Sequence, residues 1–142
     1  MTKTMQADFL DAFERHWDDA ELLFQSGHWA NADHLYGIAT ECGLKQLMLK
    51  FGMPYDAARD RPNNKDDRVH ANGIWDRFEN YRAGHHLGAG YALPSANPFH
   101  TWDVSDRYAH RSNFDEQRTR AHQAGATSVR KLVQQAQRDG WL

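Results

Sequence analysis

Residues 35–51 read LYGIATECGLKQLMLKF, and this run decides the fold. At helical spacing, Leu35, Ile38, Cys42 and Leu49 fall on one flank, with Tyr36, Ala39, Leu47 and Met48 around it. A helix apolar on nearly every side is either central to a bundle or buried by a partner chain. Gly37 and Gly43 permit close backbone approach at some cost in helix propensity. Gly52 and Pro54 end the run, so the predicted helix covers 29–51.

Upstream, residues 6–24 form a second periodic segment. Phe9, Phe13, Trp17 and Ala20 recur at helical spacing, and Leu10 and Phe24 widen the stripe. Asp18, Asp19 and Glu21 face away, and Arg15 reaches Asp11 or Asp19 one turn off. Ser26-Gly27 ends this helix, and a link so short implies an antiparallel helical hairpin. Downstream, MPYDAARDRPNNKDD (53–67) is a polar loop. Asp66 or Asp67 caps a third helix over 68–81, with His70, Ile74, Phe78 and Tyr81 along one stripe and Trp75 beside it. The stretch 84–102 is irregular, and its aromatics Tyr91, Phe99 and Trp102 need burial or a ligand. Asp103 or Ser105 caps a short helix through Asp106, Arg107 and Tyr108. The last helix spans 115–138, with Ala121, Gly125, Val129, Leu132, Val133 and Ala136 as its core face and Gly140 beyond its end. No strand pattern of useful length appears. The expected fold is all-α: one domain over 1–142, an up-down bundle of four main helices with a long irregular loop before the last.

A chain of 142 residues can bury about two thirds of its unfolded surface without disulfides or metals. Its one cysteine, Cys42, lies in an apolar helical pattern and behaves there as a small hydrophobe. No apolar run approaches a membrane span, and the N-terminus has acids where a signal peptide would be apolar. A cytoplasmic protein is expected. The net charge of −2 argues against nonspecific coating of nucleic acid. Yet residues 1–50 carry four Lys/Arg against eight Asp/Glu, while 107–142 carry seven against three. Either the basic third holds phosphate, or the two thirds pack as complementary surfaces.

The sequence His34-Leu35-Tyr36-Gly37-Ile38-Ala39-Thr40-Glu41-Cys42-Gly43-Leu44-Lys45 resembles the hairpin core of the HEPN superfamily of nucleotide-binding helical domains. That likeness implies an up-down bundle, commonly a homodimer. It also implies RNA or nucleotide binding, often as a metal-independent ribonuclease that is the toxin partner of a nucleotidyltransferase-type antitoxin. In the family an arginine and a histidine separated by four to six residues form the active site across the dimer. Here Arg107 and His110 have two residues between them, whereas Arg82–His86 and Arg118–His122 have three. The sequence departs from the family's spacing.

The chemistry concentrates in NPFHTWDVSDRYAHR (97–111). Metal-free RNA cleavage needs a base for the 2′-hydroxyl, an acid for the leaving oxygen and a cation for the phosphorane. Histidine suits the proton work and arginine the charge. Arg107 and His110 are therefore the candidate catalytic pair, with Arg111, Trp102, Tyr108 and Glu41 as candidate binding residues. If 106–111 were helical, Arg107, His110 and Arg111 would share a face, and Trp102 or Phe99 would stack on a base. The competing reading makes Arg107 an ion-pair partner of Glu41 or of an N-terminal acid, latching the loop to the hairpin. Glu41 on an apolar helix needs a partner, Lys45 locally or Arg107 at long range. Nine histidines invite a metal, but no HExxH, no HxxxH helix motif and no second cysteine support one. GHHLGAG (84–90) is no phosphate loop, since no lysine follows it. No metal and no cofactor are expected. The rival function is a non-catalytic protein-interaction module on the same scaffold.

Overall fold

The computed structural model describes residues 5–142. Four α-helices dominate it: α1 (Phe9–Gln25), α2 (Trp29–Lys50), α3 (Ala71–Ala83) and α4 (Glu116–Arg138). Helix α1 begins where the Asp8 carboxylate accepts from the Asp11 amide at 3.0 Å, and α4 where Asp115 accepts from Arg118 at 2.8 Å. Between α1 and α2, Gly27 takes a left-handed φ of 76° and reverses the chain, giving the expected hairpin.

Helix α2 is the axis of the molecule. Helices α1, α3 and α4 all pack on it, and Tyr36, Ala39, Leu44, Leu47 and Met48 are fully buried between them. The chain itself covers most of the apolar circumference of α2, while Leu35, Ile38 and Leu49 on one flank stay partly exposed. The fold is all-α, with one diminutive exception. Tyr55–Asp56 and Arg61–Pro62 pair antiparallel as β1 and β2, closing the 53–67 loop, where the sequence predicts no strand. Asp60 holds this turn, accepting from the Tyr55 hydroxyl at 2.7 Å and the Ala7 amide at 2.8 Å.

Two boundaries differ from expectation for physical reasons. Helix α3 starts at Ala71 rather than 68, because Asp67 does not cap it. The Asp67 carboxylate is fully buried and takes Arg77 (Nε at 2.9 Å) and the Tyr81 hydroxyl (2.5 Å), stronger partners than a first-turn amide. His70 becomes the residue before α3 and lies outside the core stripe assigned to it. On α4 the core face includes His122, one residue on from Ala121, which is exposed.

The long stretch before α4 is pinned by aromatic plugs. A Cβ on Gly37 of α2 would lie 2.1 Å from the Trp102 indole, and one on Gly125 of α4 would lie 2.7 Å from Phe99. Each glycine is a notch that only a missing side chain provides. Phe99 and Trp102 fill those notches and carry the following residues onto the N-terminal end of α2.

Candidate functional site

Residues 97–114 are ordered by a succession of local bonds. Asn97 accepts from the Phe99 amide at 2.8 Å and donates to the Asn72 carbonyl at 3.0 Å. Asp103 accepts from Ser105 N at 2.8 Å and opens a 3-10 helix over Val104–Tyr108, as the sequence predicts. Ala109 and His110 are extended, and a second 3-10 turn follows over Arg111–Asn113. Residues 106–111 therefore form no continuous helix, and the shared face expected for Arg107, His110 and Arg111 does not exist.

The predicted site residues divide accordingly. Arg107 and Arg111 line one cleft of about 490 Å³, together with His28, Asn31 and Asp106. His110 does not line it. Its Nδ1 accepts from the Ser112 amide at 3.1 Å and caps the second 3-10 turn. Tyr108 is 79% exposed, with the Arg107 guanidinium 4.9 Å from its ring centre. Trp102 is 1% exposed, donates from Nε1 to the Asp33 carbonyl at 3.1 Å and stacks on His34. It is a core residue with no free face for a base, and so is the buried Phe99. Glu41 pairs with Lys45 at 2.9 Å, as one reading expected, and with His70 at 2.8 Å. Arg107 pairs neither with Glu41 nor with an N-terminal acid, so the latch reading is not what the structure contains.

The cleft's far wall is the beginning of α2. His28 sits at the N-cap without a side-chain capping bond. The amides of Trp29, Ala30 and Asn31 are therefore first-turn donors with no acceptor inside the helix, and the helix dipole adds partial positive charge there. Among the described residues neither Arg107 nor Arg111 makes an ion pair with a carboxylate. Asp106, the one acid in the lining, is held by Arg118 at 3.4 Å.

Near the cleft lies a buried Asp–His pair with an arginine beside it, which no sequence pattern announces as a unit. Asp33, 1% exposed, meets His122 Nδ1 at 2.5 Å through one oxygen. Its other oxygen lies 3.6 Å from Arg118 Nε. Arg118 also donates to the Thr101 carbonyl at 3.1 Å, tying α2, α4 and the 97–114 segment together. His122 is stacked on Phe99. The available signal was register: His122 falls on the same stripe as Ala126, Val129 and Val133, and a buried histidine implies a carboxylate nearby. His28 was missed because nothing in one sequence distinguishes a cleft-lining turn residue from any other. Burial holds His34 below the ordinary histidine value, and the Arg107 charge acts the same way against Asp33 and Asp106.

Among the described residues no three His, Cys, Asp or Glu side chains converge as a metal ligand set. No helix among the described residues is long and apolar enough to cross a membrane. The site and scaffold define an all-α protein with an arginine-lined cleft at a helix N-terminus. No family model, no curated protein and no solved structure matches the chain.

Proposed function

We propose that the chain is an HEPN-like RNA- or nucleotide-binding protein whose phosphate site is the Arg107–Arg111 cleft. The observation that carries this reading is the pair of arginines without carboxylate partners facing the unbonded first-turn amides of α2. Guanidinium forks and helix N-terminal amides are both donors suited to phosphate oxygens. The exposed Tyr108 beside Arg107 supplies the stacking face that Trp102 does not.

Metal-independent ribonuclease activity belongs to the same reading, with a change of histidine. His28, not His110, lines the cleft with the arginines. In such a reaction His28 takes the 2′-hydroxyl proton, that oxygen attacks phosphorus to form a 2′,3′-cyclic phosphate, and the P–O5′ bond breaks with the 5′-oxygen taking a proton from water. The arginines offset the charge of the phosphorane. A homodimer and a nucleotidyltransferase-type partner remain part of the family reading. The rival, a protein-docking module, draws on Tyr108 and on Leu22, which is 64% exposed.

Fluorescence anisotropy with a short single-stranded RNA, in chelator, tests the proposal. Binding at low salt should weaken steeply as salt rises. Arg107→Gln and Arg111→Gln should each cost roughly tenfold in affinity without moving the melting temperature. Absence of binding at low salt overturns the reading. A gel of the same incubations shows whether the RNA is cut and whether His28→Ala stops it.

A further inference from the structure

A second cleft opens at the end of the hairpin remote from its turn, between the 55–70 segment, Phe9 of α1 and Lys45 of α2. It measures about 360 Å³ and is lined by His70, Lys45, Arg61, Arg68, Tyr55 and Phe9, among others. That size accommodates one small molecule.

His70 is placed here in a distinctive way. It occupies the N-cap of α3, where a side chain commonly bonds the helix amides, yet it makes no such bond. Its Nδ1 instead meets Glu41 Oε1 at 2.8 Å. Glu41 is only 14% exposed, and its other oxygen takes Lys45 at 2.9 Å, so the carboxylate is fixed from both sides. The imidazole is 51% exposed, and Nε2 has no partner among the described residues. A carboxylate that fixes one ring nitrogen orients the other, as in acid–base and ligand-binding histidines generally.

The cleft lining leans positive. Lys45, Arg61 and Arg68 stand there against Asp60, while Glu41 and Asp103 act on His70 from outside the lining. The Arg68 guanidinium is spent on the Pro62 and Asn63 carbonyls, which accept its hydrogen bonds but do not neutralise it. Arg61 makes no ion pair among the described residues. Asp60 is committed to the Ala7 amide and the Tyr55 hydroxyl. The Phe9 and Tyr55 rings, edge to face at 6.0 Å, supply an apolar wall.

We propose that this cleft is a second anion site, taking the phosphate group of a small phosphorylated molecule. His70 Nε2 and Arg61 meet its oxygens, and Glu41 positions His70. Phosphate fits His70 in either protonation state. An imidazolium donates to the dianion, and the neutral ring accepts from the P–OH of the monoanion. The site stands independently of the Arg107 cleft, since the two share no lining residue.

The test is titration of the full chain with inorganic phosphate, followed by NMR at the histidine Cε1–H signals. His70 should shift and saturate, with a dissociation constant on the order of millimolar. Arg61→Gln should weaken that response about tenfold, and Glu41→Gln should weaken it as well. Arg107→Gln should leave it unchanged, which separates this site from the RNA reading. A His70 shift that grows linearly and matches exposed His100 overturns the proposal. So does a saturating shift that Arg61→Gln leaves intact, and this surface variant decides the matter even if Glu41→Gln fails to fold.

Discussion

Gly37 has no room for a side chain, because the Trp102 indole occupies the position of its Cβ. Gly37→Ala should therefore destabilise the protein by about 2–3 kcal/mol, the range of an overpacked core. Urea denaturation measures this, and the losses from Gly37→Ala and Trp102→Leu should be less than additive in the double variant. Asp33 presents the opposite case, a charge whose partners are all internal. Asp33→Ala leaves the buried His122 without its carboxylate, while Arg118 keeps Asp106 and the Thr101 carbonyl, and should cost about 3 kcal/mol, whereas Asp33→Asn keeps an acceptor and should lose less. If Asp33→Ala melts with the wild type, the Asp33 contacts contribute nothing to stability. Neither Asp33 nor His122 stood out in the sequence, because one polar residue in an apolar helix has no visible partner until the fold supplies it. Arg107 and Arg111 were legible as chemistry but not as geometry. The extended residues 109–110 decide which of the nearby side chains face the cleft, and no periodicity announces them.

At the scale of elements, helices α1, α2 and α4 were legible to within a few residues. Each carries its own period, and each of α1 and α4 opens on a carboxylate cap. Asp115→Ala should cost about 1 kcal/mol, read as a lowered melting temperature, because the Arg118 amide then loses its acceptor. The start of α3 was misplaced because capping competes with tertiary ion pairing. A local rule assigned Asp67 to the nearest helix, while Arg77 and Tyr81 from a later turn claimed it. The pattern of α2 left open whether its own chain or another covers it. Only the packing of three helices around it shows how much its own chain covers, and such packing is a property of the whole chain.

At the scale of the molecule, acid is the condition to which the fold is exposed. His16 and His34 both titrate below the ordinary histidine value of 6.5, chiefly through burial. The unfolded chain thus binds protons at these positions before the folded one does. Their contribution is fully present above about pH 6.5 and declines as pH falls through the window beneath it. Melting temperatures taken from pH 7.5 down to 5.5 should fall, and His34→Gln should flatten part of that slope. An unchanged slope in both His34→Gln and His16→Gln would remove these residues as its cause.

The strap from Phe99 to Phe114 divides its labour along its length. Two aromatic plugs anchor it in glycine notches, and almost everything after them up to Asn113 faces outward. Changes at the notches are paid for in folding, while changes at Ser105, Arg107, Tyr108 or Arg111 alter only what the surface offers. Selection can therefore vary this surface without renegotiating the fold. Lineages that diverged from a common ancestor of this chain should keep Gly37, Trp102, Phe99 and Gly125 while their exposed strap residues drift apart.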